Sequence, residues 1–123
     1  MKISEAIALT DELKPNQYPL SLKVRWLSRL DGQIFNEVIM RYEGAPEEGF
    51  TPYSDENTEA ELLVPFPYAE EVYLPYLQSQ IDKENGETAK YNQSASAYNS
   101  GYQRYTAWYT RNHMPLGGRR FLF

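Results

Sequence analysis

The residues able to make and break bonds are few in this chain, and their spacing does not assemble them. His113 is the single histidine, and there is no cysteine. A nucleophilic hydroxyl needs a base within hydrogen-bond reach and a third group to orient that base. His113 instead stands beside Met114-Pro115-Leu116-Gly117-Gly118, where the chain is released from regular structure, and reads as a helix-end residue. Metal binding needs convergent ligands, and neither a His-x-x-x-His pair nor a thiolate set is present. The carboxylates between Glu43 and Glu61 lack an apolar, pocket-forming setting and read as solvated charge. Gly117-Gly118 is too short for a phosphate-cradling loop, and no helix follows it. The expectation is a protein that is not an enzyme and takes no cofactor and no metal.

The aromatic side chains are the other groups with binding potential. Tyrosine alone supplies 11 residues of the 123. Tyr91, Ala95, Tyr98, Tyr102, Tyr105 and Tyr109 follow a 4-3-4-3-4 spacing, the seam of a heptad. Lys90, Arg104 and Arg111 share that stretch, so the tyrosines read either as a buried seam or as a base-stacking platform of the kind single-strand binders use. A net charge of -5 and a pI near 4.9 favour the seam, because nucleic-acid binders are usually basic.

Charge is distributed unevenly. Every charged residue from Glu43 to Asp82 is acidic, including Glu47, Glu48, Asp55 and Glu56, whereas every charged residue after Ala89 is basic. This polarity reads either as a solvated acidic loop or as two faces that meet between neighbouring subunits, with Glu47, Glu48, Asp55 and Glu56 of one copy against Arg104 and Arg111 of the next. The end of the chain, Arg119-Arg120-Phe121-Leu122-Phe123, is apolar and cationic. Such a segment suits docking on a partner, with main-chain bonds giving affinity and Phe121 and Phe123 filling pockets. Packing on its own domain and fraying are the alternatives.

Four helices must position these groups. A first is expected over Ile3 to Lys14, with Ser4 as N-cap and Ile7 and Leu13 on its buried side. A second starts after Pro19 and runs to about Tyr42, carrying Trp26, Leu30, Ile34, Val38 and Tyr42 every fourth residue, widened by Leu27, Phe35 and Ile39. Asp31-Gly32 interrupts it and suggests a bend or a close contact. Glu43 to Pro67 is a long acidic loop rich in Gly and Pro, in which Glu61-Leu62-Leu63-Val64 either packs on the core or is extended. A third helix covers Tyr68 to about Asn85, kinked at Pro75 or starting near Leu74, and stopped by Asn85-Gly86. The fourth runs from Glu87 to about Asn112. The predicted fold is all-α: a small antiparallel bundle of about four helices, residues 1–116, with an extended tail at 117–123. There is no signal-peptide pattern and no run long enough to span a bilayer, so a soluble, cytoplasmic protein is expected.

Several segments resemble a family of small proteins from the head-morphogenesis clusters of tailed phages and prophages. They are Leu13-Lys14-Pro15-Asn16-Gln17-Tyr18, Lys23-Val24-Arg25-Trp26-Leu27-Ser28-Arg29-Leu30-Asp31-Gly32, Glu61-Leu62-Leu63-Val64-Pro65, Asn85-Gly86-Glu87-Thr88-Ala89-Lys90-Tyr91-Asn92 and Trp108-Tyr109-Thr110-Arg111-Asn112-His113-Met114-Pro115. In size, helical pattern and tail the chain is similar to head–tail connector, or adaptor, proteins. The resemblance implies a structural protein that forms a ring, dodecameric in the virion, beneath the portal. It implies portal and next connector or tail protein as partners, with the tail, Gly117 to Phe123, reaching into the portal. DNA would pass nearby without sequence-specific binding, no membrane would be involved, and the location would be the head–tail junction after assembly in the host cytoplasm. The isolated subunit would be monomeric if the ring forms only on its platform. Pro75 departs from the family pattern. A DNA-binding or other morphogenesis accessory protein is the alternative.

Overall fold

The computed structural model describes residues 1–116 and shows a predominantly helical, all-α chain. Its helices are α1 (Ile3–Leu13), α2 (Leu20–Glu37), α3 (Ala69–Asn85) and α4 (Thr88–Asn112), with a 3-10 turn at Ile39–Arg41. Among the described residues, extended pairing is confined to two isolated bridges, Lys2 with Glu61 and Tyr42 with Pro115.

Helix α1 begins at Ile3, as its sequence suggests, but with a different cap. Ser4 is not the cap; Lys2 is, and its N–H donates to Glu5 Oε1 at 2.8 Å. The first amides of a helix have no partner within it, and here carbonyls from a remote segment supply them: Ile3 N–H reaches Ala60 O at 3.1 Å and Ser4 N–H reaches Thr58 O at 2.9 Å. Ile7 is buried as expected, together with Ile3, Ala6 and Thr10. Leu13 is not; it is 64% exposed. Lys14 takes the inward position at this end of α1, with Nζ 2.7 Å from the buried Asp82 carboxylate.

The apolar stripe of α2 does what its spacing predicts, burying Trp26, Leu27, Leu30, Ile34, Phe35 and Val38. Each such side chain contributes on the order of 1.5–3 kcal/mol. Asp31-Gly32 does not interrupt the helix. A methyl group placed at Gly32 would meet the Phe50 ring at ordinary contact distance. The helix ends at Glu37, short of Tyr42, because Val38 departs to φ -116°, and Tyr42 is extended and bridges Pro115. Lys23 ties α2 to α1, donating to both Asp11 oxygens at 2.9 and 3.0 Å.

Helix α3 starts at Ala69 and carries Pro75 in its interior. It stops at Gly86, whose φ of +72° places it in the left-handed region that glycine enters freely. The turn sends α4 back antiparallel along α3: Asp82 meets Ser94, Tyr76 meets Tyr98, Glu71 meets Arg104 and Tyr68 meets Trp108. Helix α3 is the main neighbour of α4, and the Tyr42 ring, beyond the end of α2, meets Tyr109 edge to face at 5.3 Å.

The buried seam of α4 is therefore rotated from the one its tyrosines suggest. The line facing α3 is Ser94, Tyr98, Gly101, Tyr105 and Trp108, again at 4-3-4-3 spacing, and only Gly101 and Tyr105 on this helix are fully buried. Tyr91, Tyr102 and Tyr109 are half-buried at its edge. The edge rings close on the inner ones, Tyr102 stacked on Tyr98 at 5.8 Å and Tyr109 edge to face with Tyr105 at 5.9 Å, and both also pack against the core.

Candidate functional site: the Asp31 hub and the faces around it

The inward row Leu27, Asp31, Phe35 of α2 carries a carboxylate with no solvent exposure. Burying a charge is costly unless it is hydrogen-bonded, and Asp31 receives three donors. Tyr73 Oη of α3 donates to Oδ1 at 2.6 Å, and Tyr53 Oη and Leu63 N–H donate to Oδ2 at 2.5 and 3.0 Å. Tyr73 Oη in turn accepts the Val64 N–H at 2.8 Å. Burial pushes the Asp31 carboxyl above its ordinary range, against the opposing pull of the hydrogen bonds from Tyr53, Tyr73 and Leu63. Burial, and then the charge and hydrogen bond of Asp31, push both phenols up, so they stay protonated and donating. The three donors hold the carboxylate to α3 and to two points of the segment between α2 and α3.

What it positions is the segment between α2 and α3. The Glu61–Val64 stretch packs on the core, with Leu62 and Val64 buried. Leu62 N–H reaches Met1 O at 2.8 Å, Leu63 reaches Asp31 and Val64 reaches Tyr73, so consecutive amides are spent on three different parts of the core. Upstream, Tyr53 N–H donates to Ser28 Oγ at 3.0 Å, and the Phe50 and Tyr53 rings meet edge to face at 5.2 Å. This lays residues 50–53 along α2, forming an open groove with Arg25 and Arg29.

A second hub joins α1, α3 and α4. Asp82 accepts Ser94 Oγ at 2.7 Å on Oδ2, while Lys14 stands at Oδ1 as a charge contact outside hydrogen-bond geometry.

Three outer faces follow. The first lies where the chain leaves α4. Glu43 N–H donates to Met114 O at 2.8 Å and Leu116 N–H to Arg41 O at 2.9 Å, clamping residues 114–116 to residues 41–43. His113 stacks on Tyr109 at 3.7 Å with Nδ1 2.9 Å from the Tyr109 carbonyl oxygen, a helix-end placement. Met40, Met114 and Leu116 are exposed around this clamp. The second is a polar groove of about 350 Å³ between the end of α2 and α4, lined by Glu37, Arg41, Tyr42, Tyr102 and Thr110. The third surrounds Phe66, beside Met1 and the carboxylates of Glu5 and Glu70.

Of the residues singled out from sequence, Glu47, Glu48, Asp55 and Glu56 are exposed on the 42–68 segment, and Arg111 is exposed at the end of α4. Arg104 pairs within its own chain with Glu71, and Lys90 pairs with Glu87 at 2.8 Å. Arg119, Arg120, Phe121, Leu122 and Phe123 lie outside the described residues. Asp31, Tyr53, Tyr73, Asp82 and Gly101 are the positions sequence reasoning missed. Among the described residues, no group of three or more His, Asp or Glu is placed to hold a metal ion, and no helix is long and apolar enough to cross a membrane. Compared with known proteins, the chain matches no family model, no curated protein and no solved structure.

Proposed function

We propose that this chain is a structural assembly protein, a head–tail connector of the tailed-phage type, built as a small antiparallel helical bundle that self-associates in a ring beneath the portal. Its C-terminal segment, Gly117 to Phe123, docks on the portal, and its outer faces meet neighbouring copies and the next connector or tail component. The observation that carries this reading is the clamp of residues 114–116 onto residues 41–43. It fixes the point from which an apolar, cationic segment leaves, and it surrounds that point with the exposed side chains of Met40, Met114 and Leu116. Catalysis finds no support at the Asp31 hub, where the carboxylate is fully buried and taken up by three donors. A base-stacking role for α4 is disfavoured by the engagement of its Tyr98 and Tyr105 rings with α3 and by the ion pairs of Lys90 and Arg104.

The test is a portal capture assay with the chain ended after Leu116. Retained helicity with loss of portal binding is the expected result. Undiminished capture by the shortened chain would refute the role of the tail.

A further inference from the structure

Phe66 is 91% exposed, the most open large hydrophobic side chain among the described residues. With Met1, Pro67 and Ala69 it lines a hollow of about 300 Å³, and Glu5 from the first turn of α1 and Glu70 from the first turn of α3 stand at its rim. An aromatic anchor point ringed by carboxylates fits a ligand that is both apolar and cationic. One such ligand is in the sequence: Arg119-Arg120-Phe121-Leu122-Phe123, free of acidic residues.

We propose that this hollow receives the C-terminal segment, residues 117–123, of a second copy, with an apolar side chain of the segment against Phe66 and its arginines facing Glu5 and Glu70. The inference rests on the reading of that segment as a docking element. Geometry supports the exchange. Trp108, near the end of α4, packs on Tyr68, two residues beyond Phe66, with ring centroids 5.5 Å apart, so the root of the segment and the receiving hollow share one end of the molecule. Seven extended residues reach up to roughly 23–25 Å. Reach alone would also let a segment enter the hollow of its own chain, and a chain that stays monomeric at every concentration is that outcome. Two copies set end to end each offer the other the same pair of surfaces, a self-complementary contact. In the free protein this pairing covers the apolar terminus until a portal competes for it.

Sedimentation velocity of the full chain at low salt, over a range of concentrations, tests the pairing together with anisotropy of a labelled Gly-Gly-Arg-Arg-Phe-Leu-Phe peptide. The expected results are a concentration-dependent dimer, weakened by salt, and dissociation of that dimer by the peptide. Phe66→Ser should weaken both associations roughly tenfold or more, as loss of a central aromatic anchor does, with an unchanged circular dichroism spectrum because the ring is at the surface. Arg119→Glu with Arg120→Glu should weaken the dimer similarly, and adding Glu70→Lys should restore part of it. A chain that stays monomeric at every concentration, or a peptide bound equally by wild type and Phe66→Ser, would overturn the proposal. Portal capture by Phe66→Ser keeps this outcome separate from the connector reading, which stands or falls with the tail truncation.

Discussion

Gly101 of α4 lies against the backbone carbonyl of Glu71 in α3, and a methyl group at 101 would overlap that carbonyl. The same carbonyl is the one that Pro75, four residues on, cannot engage, since proline has no N–H. The proline leaves a carbonyl without its usual helical partner, and the glycine lets the neighbouring backbone come up to it. A weak Cα–H···O contact is the interaction such proximity permits.

Gly101→Ala should therefore destabilise the chain, although alanine is the better helix former by about 1 kcal/mol. Overpacking of this kind costs about 1–3 kcal/mol, and chemical denaturation should show a lower midpoint at unchanged slope. A rise in stability would mean that α4 sits further from α3 than described.

Pro75→Ala restores an N–H opposite the Glu71 carbonyl and draws that oxygen back into its own helix. Its effect should depend on residue 101. In a double-mutant cycle Pro75→Ala and Gly101→Ala should couple by about 0.5–3 kcal/mol, the range for residues in contact. Simple additivity would separate the two residues.

Asp31→Asn keeps the shape of the hub but places an amide N–H₂ where only donors point. A loss of about 1–3 kcal/mol at neutral pH is expected. In the folded chain Asp31 keeps its proton to higher pH than in the unfolded chain, so its protonation-linked stabilisation is full below the unfolded value and is lost as pH rises through the folded one. Wild type should thus gain on Asp31→Asn as the solution is acidified across that window. Parallel stability curves for the two proteins would contradict the raised carboxyl.

The two tyrosines of the hub should differ in worth. Tyr73→Phe removes a donor to Asp31 and strands the Val64 N–H, both buried, and should cost about 1–3 kcal/mol. Tyr53→Phe leaves Asp31 two donors at a half-exposed rim and should cost less. Thermal unfolding of the two variants side by side gives the order directly.

The helices were legible because their apolar periodicity is strong, as the row from Trp26 through Val38 shows. Asp31 was not, because an aspartate followed by glycine resembles a break. The overlooked signal was its place on the inward row between Leu27 and Phe35, where a charge makes sense only with partners. Those partners, Tyr53, Leu63 and Tyr73, lie 22, 32 and 42 positions away, a distance at which no local pattern speaks. The α4 seam was read only in part: Tyr98, Tyr102, Tyr105 and Tyr109 do pack on the core, but its centre was missed. Counting rings selected Tyr102 and Tyr109, whereas close packing selected Gly101, whose value lies in what it lacks. The Phe66 face was invisible in sequence, since a phenylalanine between two prolines gives no hint of which way it will turn.

The clamp at residues 41–43 has a mechanical meaning. Tension applied to the chain beyond Leu116 reaches the backbone hydrogen bonds to Arg41 and Glu43 before it reaches the last turn of α4, and is passed to the segment that follows α2. Whatever pulls on that terminus is thus pulling on the central framework, while the outermost helix is spared from being peeled away.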